Sequence, residues 1–338
     1  MSDVRPELAW DGHVVNAAEI GQALRGLQPT GPDGGPLAMA AVLNLVVAAQ
    51  PFTAQDAEEV IESLADHQPS RAIIIEREST GDGIDAHMEA RAQVMGSTHT
   101  ASRVELLHLK LRGAAADGAA SAVRALLRSD LPVFVWWPGV PDHADPMFID
   151  LARRADRLIA EADRGGGAVA VEALGRTVTD RGPAVTDLAW AALTPWRQLL
   201  NQLTTREHLD QMRDGTTITI TDTGVAPSLG ALLLAGWLRD SVGESVQLAF
   251  HSVPRPGDSI ICEIQVAVPG GRRLEIARVS GRAAAAVVTH TPDGFTHDRM
   301  MPLPEPTRAQ LLAGELELQR RDEPFERALR HAQQIAPR

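Results

Sequence analysis

The first half of this chain alternates short buried runs with helical segments, and that order restricts the fold more than any other feature. Residues 38–48 are predominantly apolar, a helix-capping threonine and an acidic first turn follow at Thr53, and residues 72–75 are mostly β-branched. A connection of this length between two buried strands favours a parallel pair joined by a crossover helix. The sequence therefore predicts an α/β fold with parallel strands in its N-terminal sheet.

The remaining patterns of the first half extend this sheet. Residues 84–95 and 104–111 alternate apolar and polar side chains, as strands with one solvated face do, and we expect them to add antiparallel strands. Residues 132–137 predict a further buried strand. The other expected elements are helices over residues 15–27, 119–128 and 147–155 and a strand over residues 157–163. The first half is thus expected to be a mixed sheet with crossover helices.

A glycine-rich stretch, residues 165–183, is the predicted domain boundary, although residues 169–174 within it have helical spacing. We expect an N-terminal α/β domain over residues 1–183 and a C-terminal α+β domain over residues 184–338. Beyond the boundary, the sequence predicts a helix starting at Pro195 with Thr194 as its N-cap, a strand over residues 216–221 and a helix over residues 228–241. An antiparallel meander of four strands is expected next, over residues 246–251, 259–268, 273–279 and 283–289. Two terminal helices, over residues 307–319 and 324–335, end the chain.

Residue types needed for common catalytic chemistry are scarce. The chain has no tyrosine, one cysteine (Cys262) and one lysine (Lys110), so an intrachain disulfide and a cysteine-rich zinc site are excluded. A Walker phosphate loop is excluded because its lysine follows a glycine, whereas Lys110 follows a leucine. The patterns G-x-G-x-x-G, H-E-x-x-H and G-x-S-x-G are absent. We therefore expect no catalytic residue, no cofactor and no metal site.

The charge and the N-terminal segment bear on partners and location. A net charge of -12 argues against nucleic-acid binding, which needs clustered positive charge. The first residues are polar and do not form the basic segment and apolar run of an export signal. The longest apolar stretch, residues 37–49, is shorter than the roughly 20 residues of a membrane span. We expect a cytoplasmic protein without membrane association.

One short polar loop offers an alternative interpretation. Asp142, His143 and Asp145 follow the buried strand that ends at Trp137, and ligands bind at the carboxyl ends of such strands. Carboxylate and imidazole groups are also metal ligands, but such a loop commonly caps the next helix. An enzyme or small-ligand sensor that uses this loop stays open as the alternative function.

The tryptophans are concentrated in a few motifs. The chain has six tryptophans although aromatic residues make up only 4% of it. Trp136 and Trp137 are adjacent at a strand end, so their rings are predicted to point to opposite faces of the sheet. Such rings either fill a core or anchor a protein interface, where tryptophan and arginine are favoured. The candidate interface or motif residues are Trp136, Trp137, Pro138, Trp190, Pro195, Trp196 and Arg197.

These motifs resemble those of the glucose-6-phosphate dehydrogenase assembly protein (OpcA) family. The matching segments are Ser-Arg-Ala-Ile-Ile-Ile from Ser70, Val-Phe-Val-Trp-Trp-Pro-Gly from Val133, Asp-Leu-Ala-Trp from Asp187 with Leu-Thr-Pro-Trp-Arg from Leu193, Leu-Leu-Ala-Gly-Trp-Leu from Leu233, and the helical tail. The resemblance runs in the same order from about residue 40 to the end, and residues 1–36 carry no matching motif. The family usually has an arginine before Leu-Thr-Pro-Trp-Arg, and this chain has Ala192 there.

The resemblance implies a non-catalytic protein that binds glucose-6-phosphate dehydrogenase. Such a protein promotes the active oligomer of the enzyme or raises its activity, and so supports the oxidative pentose phosphate pathway. The implied partner is the dehydrogenase itself, with no cofactor of the chain's own. A binding protein of this kind acts through differential affinity, because it shifts its partner only by holding the active state more tightly than the inactive one.

Overall fold

Two β-sheets and the helices that cover them make up the fold, which is mixed α/β as predicted. The computed structural model describes residues 8–14, 16–26, 38–49, 54–64, 69–94, 100–163, 166–203, 215–253, 261–269, 273–279, 285–291 and 296–337. None of the helices in these ranges combines the length and the apolar content needed to cross a membrane.

The strands are numbered in chain order. They are β1 (Leu8–Val14), β2 (Ala38–Ala40), β3 (Leu43–Ala48), β4 (Ser70–Glu78), β5 (Ile84–Val94), β6 (Thr100–Arg112), β7 (Val133–Trp137), β8 (Arg157–Ala160), β9 (Ala184–Asp187), β10 (Thr217–Thr223), β11 (Gln247–Val253), β12 (Ile261–Ala267), β13 (Arg273–Arg278), β14 (Ala285–Thr291) and β15 (His297–Pro302).

The helices are numbered in the same way. They are α1 (Ala17–Gly26), α2 (Ala54–Leu64), α3 (Ala114–Asp117), α4 (Ala119–Leu126), α5 (Pro146–Arg154), α6 (Gly167–Thr177), α7 (Leu188–Ala192), α8 (Thr194–Leu203), α9 (Leu229–Val242), α10 (Arg308–Glu317) and α11 (Glu323–Ile335).

The first sheet has the strand order β1-β5-β6-β4-β3-β7-β8-β9, with β2 beside β6. Six neighbouring strands, from β6 through β4, β3, β7 and β8 to β9, all pair in parallel. Numbered along the chain, these six lie in the order 3-2-1-4-5-6, which is that of doubly wound dinucleotide-binding sheets. Val46 and Val47 point to opposite faces and both are fully buried, which explains why such strands are apolar throughout.

The pairing of β6 differs from its prediction. The alternating pattern predicts a strand added antiparallel, whereas β6 is antiparallel to β5 and parallel to β4, and lies between them. Side-chain alternation indicates that a segment is a strand, but it does not indicate which neighbours the strand meets. The parallel pairing, which begins with Arg71 opposite Glu105, joins residues far apart in the chain.

The glycine-rich stretch predicted as a domain boundary contains a helix that packs into the core. Ala170, Val171 and Leu174 of α6 are buried among the other core residues. β9 then pairs with β8, so the first sheet continues through Asp187. The domain division at residue 183 stays a prediction, and the sheet itself extends past that residue.

The second sheet has the strand order β11-β10-β12-β13-β14-β15. The predicted four-strand meander is wrong in its first member, because β11 pairs in parallel with β10, and β10 lies between β11 and β12. The antiparallel meander is β12 to β15, and the sequence patterns did not indicate β15. The difference is due to α9, which follows β10 and precedes β11 in the chain. This helix is buried and apolar on almost every side, and it forms the crossover that lets β11 pair in parallel with β10.

The C-terminal residues 303–337 fold back over both sheets. α11 packs against α9 and α6, whereas α10 packs against α2 and α7. α9 and α11 cross in close contact at Gly236, where a Cβ atom would lie 2.0 Å from the carbonyl oxygen of Ala328. Glycine is therefore required at this crossing. Leu312 and Leu316 of α10 are buried in the same cluster as Trp136 of the first sheet.

Candidate functional site

β7 places its two tryptophans on opposite faces of the first sheet, as predicted. The Trp136 ring is fully buried in the cluster that includes α10, and the guanidinium of Arg308 lies 4.7 Å from its centroid. The Trp137 ring packs edge-on against Phe148 of α5, with centroids 5.0 Å apart. Its Nε1 donates to the carbonyl oxygen of Val140 at 3.1 Å. Both rings are thus held by other parts of the same chain.

Trp190 lies where the Asp-Leu-Ala-Trp motif meets α11. Its Nε1 donates to Oδ2 of Asp322 at 2.8 Å, and its ring tilts against Phe325 with centroids 5.8 Å apart. The guanidinium of Arg197 lies 3.7 Å from the centroid of the same ring, a cation–π distance. Asp322 also caps α11, because it accepts from the amide of Phe325 at 3.0 Å. Trp190 therefore helps to set both the start and the position of α11.

The second half of this motif connects to the other sheet. Trp196 is buried, and the guanidinium of Arg278 in β13 lies 5.6 Å from its centroid. α8 begins at Thr194, one residue before the predicted start, and the Thr194 hydroxyl accepts from Nη2 of Arg197 at 2.9 Å. Burial lowers the pKa of Arg197, and the carboxylate of Asp322 opposes that shift.

Ion pairs hold α10 to the first sheet at both of its ends. Arg157, at the start of β8, is 0% exposed; it pairs with Glu315 and donates to the carbonyl oxygen of Arg320 at 2.9 Å. At the other end of the helix, Arg308 pairs with Glu161 at 2.5 Å. Burial raises the pKa of Glu315, and its hydrogen bond with Arg157 opposes that shift. These pairs, together with the contacts of Trp136 and Trp190, join the C-terminal residues 303–337, which we call the tail, to the rest of the chain.

Five of the seven candidate residues are buried and two are partly exposed. The buried ones are Trp136, Trp137, Trp190, Pro195 and Trp196, and the partly exposed ones are Pro138 and Arg197. The sequence leaves two roles open for this set, a docking surface or the support beneath one. The rings of Trp136 and Trp190 contact the chain's own tail, and a docking role for these residues stays a prediction.

Asp187 ends β9 and begins the Asp-Leu-Ala-Trp motif. Its fully buried carboxyl accepts from the amide of Ala189 at 2.8 Å, which caps α7, and from the amide of Ala162 at 2.9 Å. Burial raises the pKa of Asp187 to about 8; the two hydrogen bonds oppose that shift, and the charges of Asp163 and Glu161 add to it. The carboxyl therefore keeps its proton in the fold at neutral pH.

This raised pKa predicts that stability depends on pH through Asp187. In the unfolded chain an aspartic acid ionises near pH 4, so between about pH 4 and pH 8 only the folded state holds the proton. The stabilisation is complete below that range and is lost as the pH rises through about 8. We expect the melting temperature of the wild type to fall more steeply from pH 5 to pH 9 than that of Asp187→Asn. Glu172→Gln, an exposed change, serves as the control, and parallel curves for wild type and Asp187→Asn would contradict the prediction.

The polar loop after β7 caps the next helix. Asp145 is the N-cap of α5 and accepts from the amide of Met147 at 2.8 Å. The same carboxylate pairs with Arg77 of β4, with Nη2 2.5 Å from Oδ2. Asp142 accepts from the amide of Ala144 at 2.8 Å. Both carboxylates thus have structural hydrogen bonds within the loop.

His143 of this loop contacts α6. Its Nε2 lies 3.1 Å from Oγ1 of Thr177 and 3.2 Å from the carbonyl oxygen of Ala173, and its ring packs on Phe148. In the part of the chain that the structure describes, no group of three or more histidine, cysteine, aspartate and glutamate side chains is placed to hold a metal ion. The geometry therefore gives the ligand-binding alternative no added support.

The partners of the tryptophan motifs were missed by sequence reasoning. Arg157 and Glu315 are 158 residues apart, Arg308 and Glu161 are 147 apart, and Trp190 and its acceptor are 132 apart. No local pattern connects residues at such separations. A local signal exists only at Asp322, because an aspartate that precedes a helix with proline in its first turn is typical of an N-cap.

Two family models match the chain in succession. Residues 61–176 match the model for the N-terminal domain of a glucose-6-phosphate dehydrogenase subunit, and residues 183–329 match the model for the C-terminal domain of that subunit. The chain belongs to this glucose-6-phosphate dehydrogenase subunit family. Membership confirms the resemblance to OpcA proteins, with a role in the assembly or activation of glucose-6-phosphate dehydrogenase, that enzyme as partner, and a place in the pentose phosphate pathway.

Solved structures show distant likeness. KijD10, a 3-ketoreductase from Actinomadura kijaniata, is 12% identical with a TM-score of 0.48, covering 88% of this chain and 96% of its own. Glucose-6-phosphate 1-dehydrogenase from Mycobacterium avium is 10% identical with a TM-score of 0.46, and the match covers 87% of this chain and 90% of that one. An NAD binding oxidoreductase from Klebsiella pneumoniae is 10% identical with a TM-score of 0.46, and the match covers 88% of this chain and 95% of that one. Scores this low carry no information about activity. No match is found among curated protein sequences.

Proposed function

We propose that this chain is a non-catalytic subunit that binds glucose-6-phosphate dehydrogenase and stabilises one of its conformational or oligomeric states. One observation carries the proposal. The first sheet has the strand order of a dinucleotide-binding sheet, yet the polar groups along its carboxyl edge bind the chain's own backbone and tail. The cytoplasmic location expected from the sequence is part of this proposal.

The turn that would hold a dinucleotide is unsuited to that task. In dinucleotide-binding sheets the turn after the first parallel strand, here β3, has glycines that let the backbone approach the pyrophosphate. The chain has no glycine between Gly35 and Gly81, so every residue from the end of β3 through β4 has a Cβ atom. Three successive glycines, residues 165–167, do occur in the sequence at the start of α6, but a Cβ on Gly167 would lie 2.3 Å from the carbonyl oxygen of Pro227. That glycine makes room for the chain's own backbone, which supports a structural role.

The acidic side chains at the carboxyl edge are engaged within the chain. Glu161, after β8, pairs with Arg308, and Asp163 accepts from the amide of Leu229 at the start of α9 at 2.8 Å. Asp187, after β9, caps α7. This edge is where sheets of this topology bind their ligands. Side chains that already bind backbone amides or an arginine support a structural role over proton transfer.

The tryptophan motifs supply the framework in this proposal. Trp136 and Trp190 contact the two tail helices, and Trp196 contacts the second sheet through Arg278. The tail in turn packs on helices that contact both sheets, because α10 meets α2 beside β4 and α11 meets α9 beside β10. A partner bound to one sheet is therefore connected to the other sheet through the tail. Pro138 and Arg197, which are partly exposed, are the members of the set open to direct contact with a partner.

The energetic demand on such an activator is modest. A preference of about 1–3 kcal/mol for one state of the dehydrogenase changes the affinity of that enzyme for its own ligands by about 5–150-fold. Linkage is reciprocal, so the same ligands of the dehydrogenase should change its affinity for this chain by the same factor.

The proposal is tested with glucose-6-phosphate dehydrogenase from the same organism, purified alone and then mixed with this chain. We expect co-elution on size exclusion and a change of about fivefold or more in apparent substrate affinity or in the oligomer distribution. The chain alone is expected to show no turnover and no saturable binding of nicotinamide dinucleotide. Absence of association together with an unchanged rate would overturn the proposal, and turnover by the chain alone would favour the enzyme alternative.

A further inference from the structure

The second sheet is covered by helices on one of its faces. Ile218, Ile220 and Ile264 point to that face and are fully buried in one cluster with the apolar residues of α9. Side chains alternate along each strand, so the residues between these point to the opposite face. We call the opposite face the open face, because every residue in the row across its middle is exposed or partly exposed: Ala249, Thr219, Gln265, Glu275, Thr289 and Asp298.

A second row of side chains lies beside this middle row on the open face. It is formed by His251, Thr221, Glu263, Ala277, Val287 and Met300. Threonine, alanine and valine make up half of the two rows. Short side chains of this kind let two sheets pack face to face at the usual spacing of about 10 Å.

Three carboxyl groups lie in the two rows, at Glu263, Glu275 and Asp298. Oε1 of Glu263 accepts from Nε2 of Gln265 at 2.6 Å. Burial raises the pKa of Glu275; its hydrogen bond with Glu263 and the charges of Glu263 and Asp298 add to that shift, and the charge of Arg273 opposes it. A carboxyl that holds its proton more readily costs less to bury, whereas a carboxylate placed over another carboxylate is repelled.

The open face is large enough for a stable contact. Its six strands, spaced about 4.8 Å apart, span about 29 Å, and seven residues at about 3.3 Å each span about 23 Å. The face therefore has an area of about 650 Å², and two copies packed on it would bury about 1,300 Å² in total. Specific protein interfaces bury about 1,200–2,000 Å². A second copy of this chain thus supplies a surface of the size that a stable dimer needs.

Two exposed apolar side chains lie at opposite edges of the open face. Val253 in β11 is 43% exposed and Met300 in β15 is 56% exposed. A homodimer is most often closed by a two-fold axis, and the direction of that axis decides which strands meet. An axis parallel to the strands, between β12 and β13, places β11 of one copy over β15 of the other. Each Val253 then lies near Met300 of the second copy, and both side chains are removed from water.

The same axis separates the carboxyl groups of the two copies. It places the amide of Gln265 over Glu275 of the second copy and Ala249 over its Asp298, and in neither row does one carboxyl group face another. An axis across the strands, through the middle row, would instead place Glu275 over Glu275 and Asp298 over Asp298. The charge pattern therefore selects the axis parallel to the strands.

We propose that the open face joins two copies of this chain face to face, about a two-fold axis parallel to its strands. The size of the face, the meeting of Val253 with Met300 and the separation of the carboxyl groups each favour a second copy as the occupant. The proposal concerns the chain alone and does not depend on the proposed function. A dimer of this kind offers any further partner two equivalent binding surfaces.

The test measures self-association of the full chain by sedimentation equilibrium over a wide range of concentration. We expect a monomer–dimer equilibrium for the wild type. Thr219→Arg places a long charged side chain in the middle row, over Thr289 of the second copy, and is expected to weaken the dimer by about tenfold or more. Val169→Arg is the matched control, because Val169 is an exposed apolar residue of α6, and we expect a change of about twofold or less. Melting curves verify that both variants fold.

A pair of variants at Ala249 tests the direction of the axis. Within its own chain, Ala249 is opposite Thr219 on an edge strand, and Asp298 is at the other edge of the sheet. Ala249→Arg brings a positive charge over Asp298 of the second copy and should tighten the dimer, whereas Ala249→Asp should weaken it, each by about threefold or more at low salt. Added salt should reduce both effects. These variants also give a decision if Thr219→Arg does not fold.

The outcomes decide between a second copy and another occupant of the open face. A wild type that stays monomeric, or a Thr219→Arg variant that dimerises as tightly as the wild type, overturns the proposal. Equal weakening by Ala249→Arg and Ala249→Asp overturns the assigned axis. If the wild type is monomeric and Thr219→Arg loses binding to purified glucose-6-phosphate dehydrogenase, the face docks that enzyme and the proposal is wrong. Loss of the dimer in Thr219→Arg with unchanged binding to the dehydrogenase supports both the proposal and the proposed function.

Discussion

Arg157→Met is expected to lower the free energy of unfolding by about 3–5 kcal/mol, because it leaves a buried carboxylate without its counter-charge. Arg157 is 0% exposed, and its guanidinium binds Glu315 and the carbonyl oxygen of Arg320. Without it, Glu315 must either stay charged in a buried site or take up a proton, and burial already raises its pKa. The loss is measured by urea unfolding, as a lower midpoint at an unchanged slope.

Two comparisons make this prediction specific. Arg176→Met removes an exposed pair with Glu172 on α6, and we expect a change of about 0.5 kcal/mol or less. Arg157→Met combined with Glu315→Leu leaves no buried charge, so we expect the double variant to lose less stability than Arg157→Met alone. If Arg157→Met and Arg176→Met unfold at the same urea concentration, the buried pair does not hold the tail.

Trp190→Ala is expected to lower the free energy of unfolding by about 3–5 kcal/mol, because α7 loses the large buried ring with which it packs against α11. The substitution also removes the hydrogen bond to Asp322 and the ring beneath Arg197. Thermal and urea unfolding measure the loss. Hydrogen exchange should show α11 opening at lower free energy than α9, because α11 loses its anchor at the helix start.

Replacing each tryptophan by phenylalanine separates the contribution of the indole hydrogen bond from that of the buried ring. Nε1 of Trp136 has no hydrogen-bond partner among the described residues, whereas Nε1 of Trp190 donates to a carboxylate. Both variants lose similar volume, so Trp190→Phe should be less stable than Trp136→Phe by about 1–3 kcal/mol. Dehydrogenase binding, measured well below each melting temperature, should be unchanged in both if the rings act as support. A loss of binding in folded Trp190→Phe would favour a docking role.

Local sequence patterns predicted many of the elements closely. The apolar run 228–241 gives α9, and the patterns at 307–319 and 324–335 give α10 and α11. These predictions succeed because a capped amphipathic or apolar helix depends on residues within a few turns of each other. The opposite directions of Trp136 and Trp137 follow in the same way from the alternation of a strand.

Pairing between distant segments was outside the reach of those patterns. The position of β6 beside β4, the parallel pairing of β10 with β11, and the inclusion of β9 in the first sheet each depend on which segments meet in space. The alternation within a strand is the same for either neighbour, so the order of strands is decided by the packing of the helices that connect them.

By itself, the sequence determined which side chains are scarce and, through its motifs, the family to which the chain belongs. It has one lysine, one cysteine and no tyrosine, and no glycine between Gly35 and Gly81. Only the tertiary structure decided what the tryptophan motifs contact. Their rings meet Arg308 and Asp322, residues of the returning tail that are more than a hundred positions away in the chain. The physical reason is that burial and ion pairing are properties of the assembled fold, in which Arg308 of the tail pairs with Glu161 at the edge where other sheets of this topology bind a ligand.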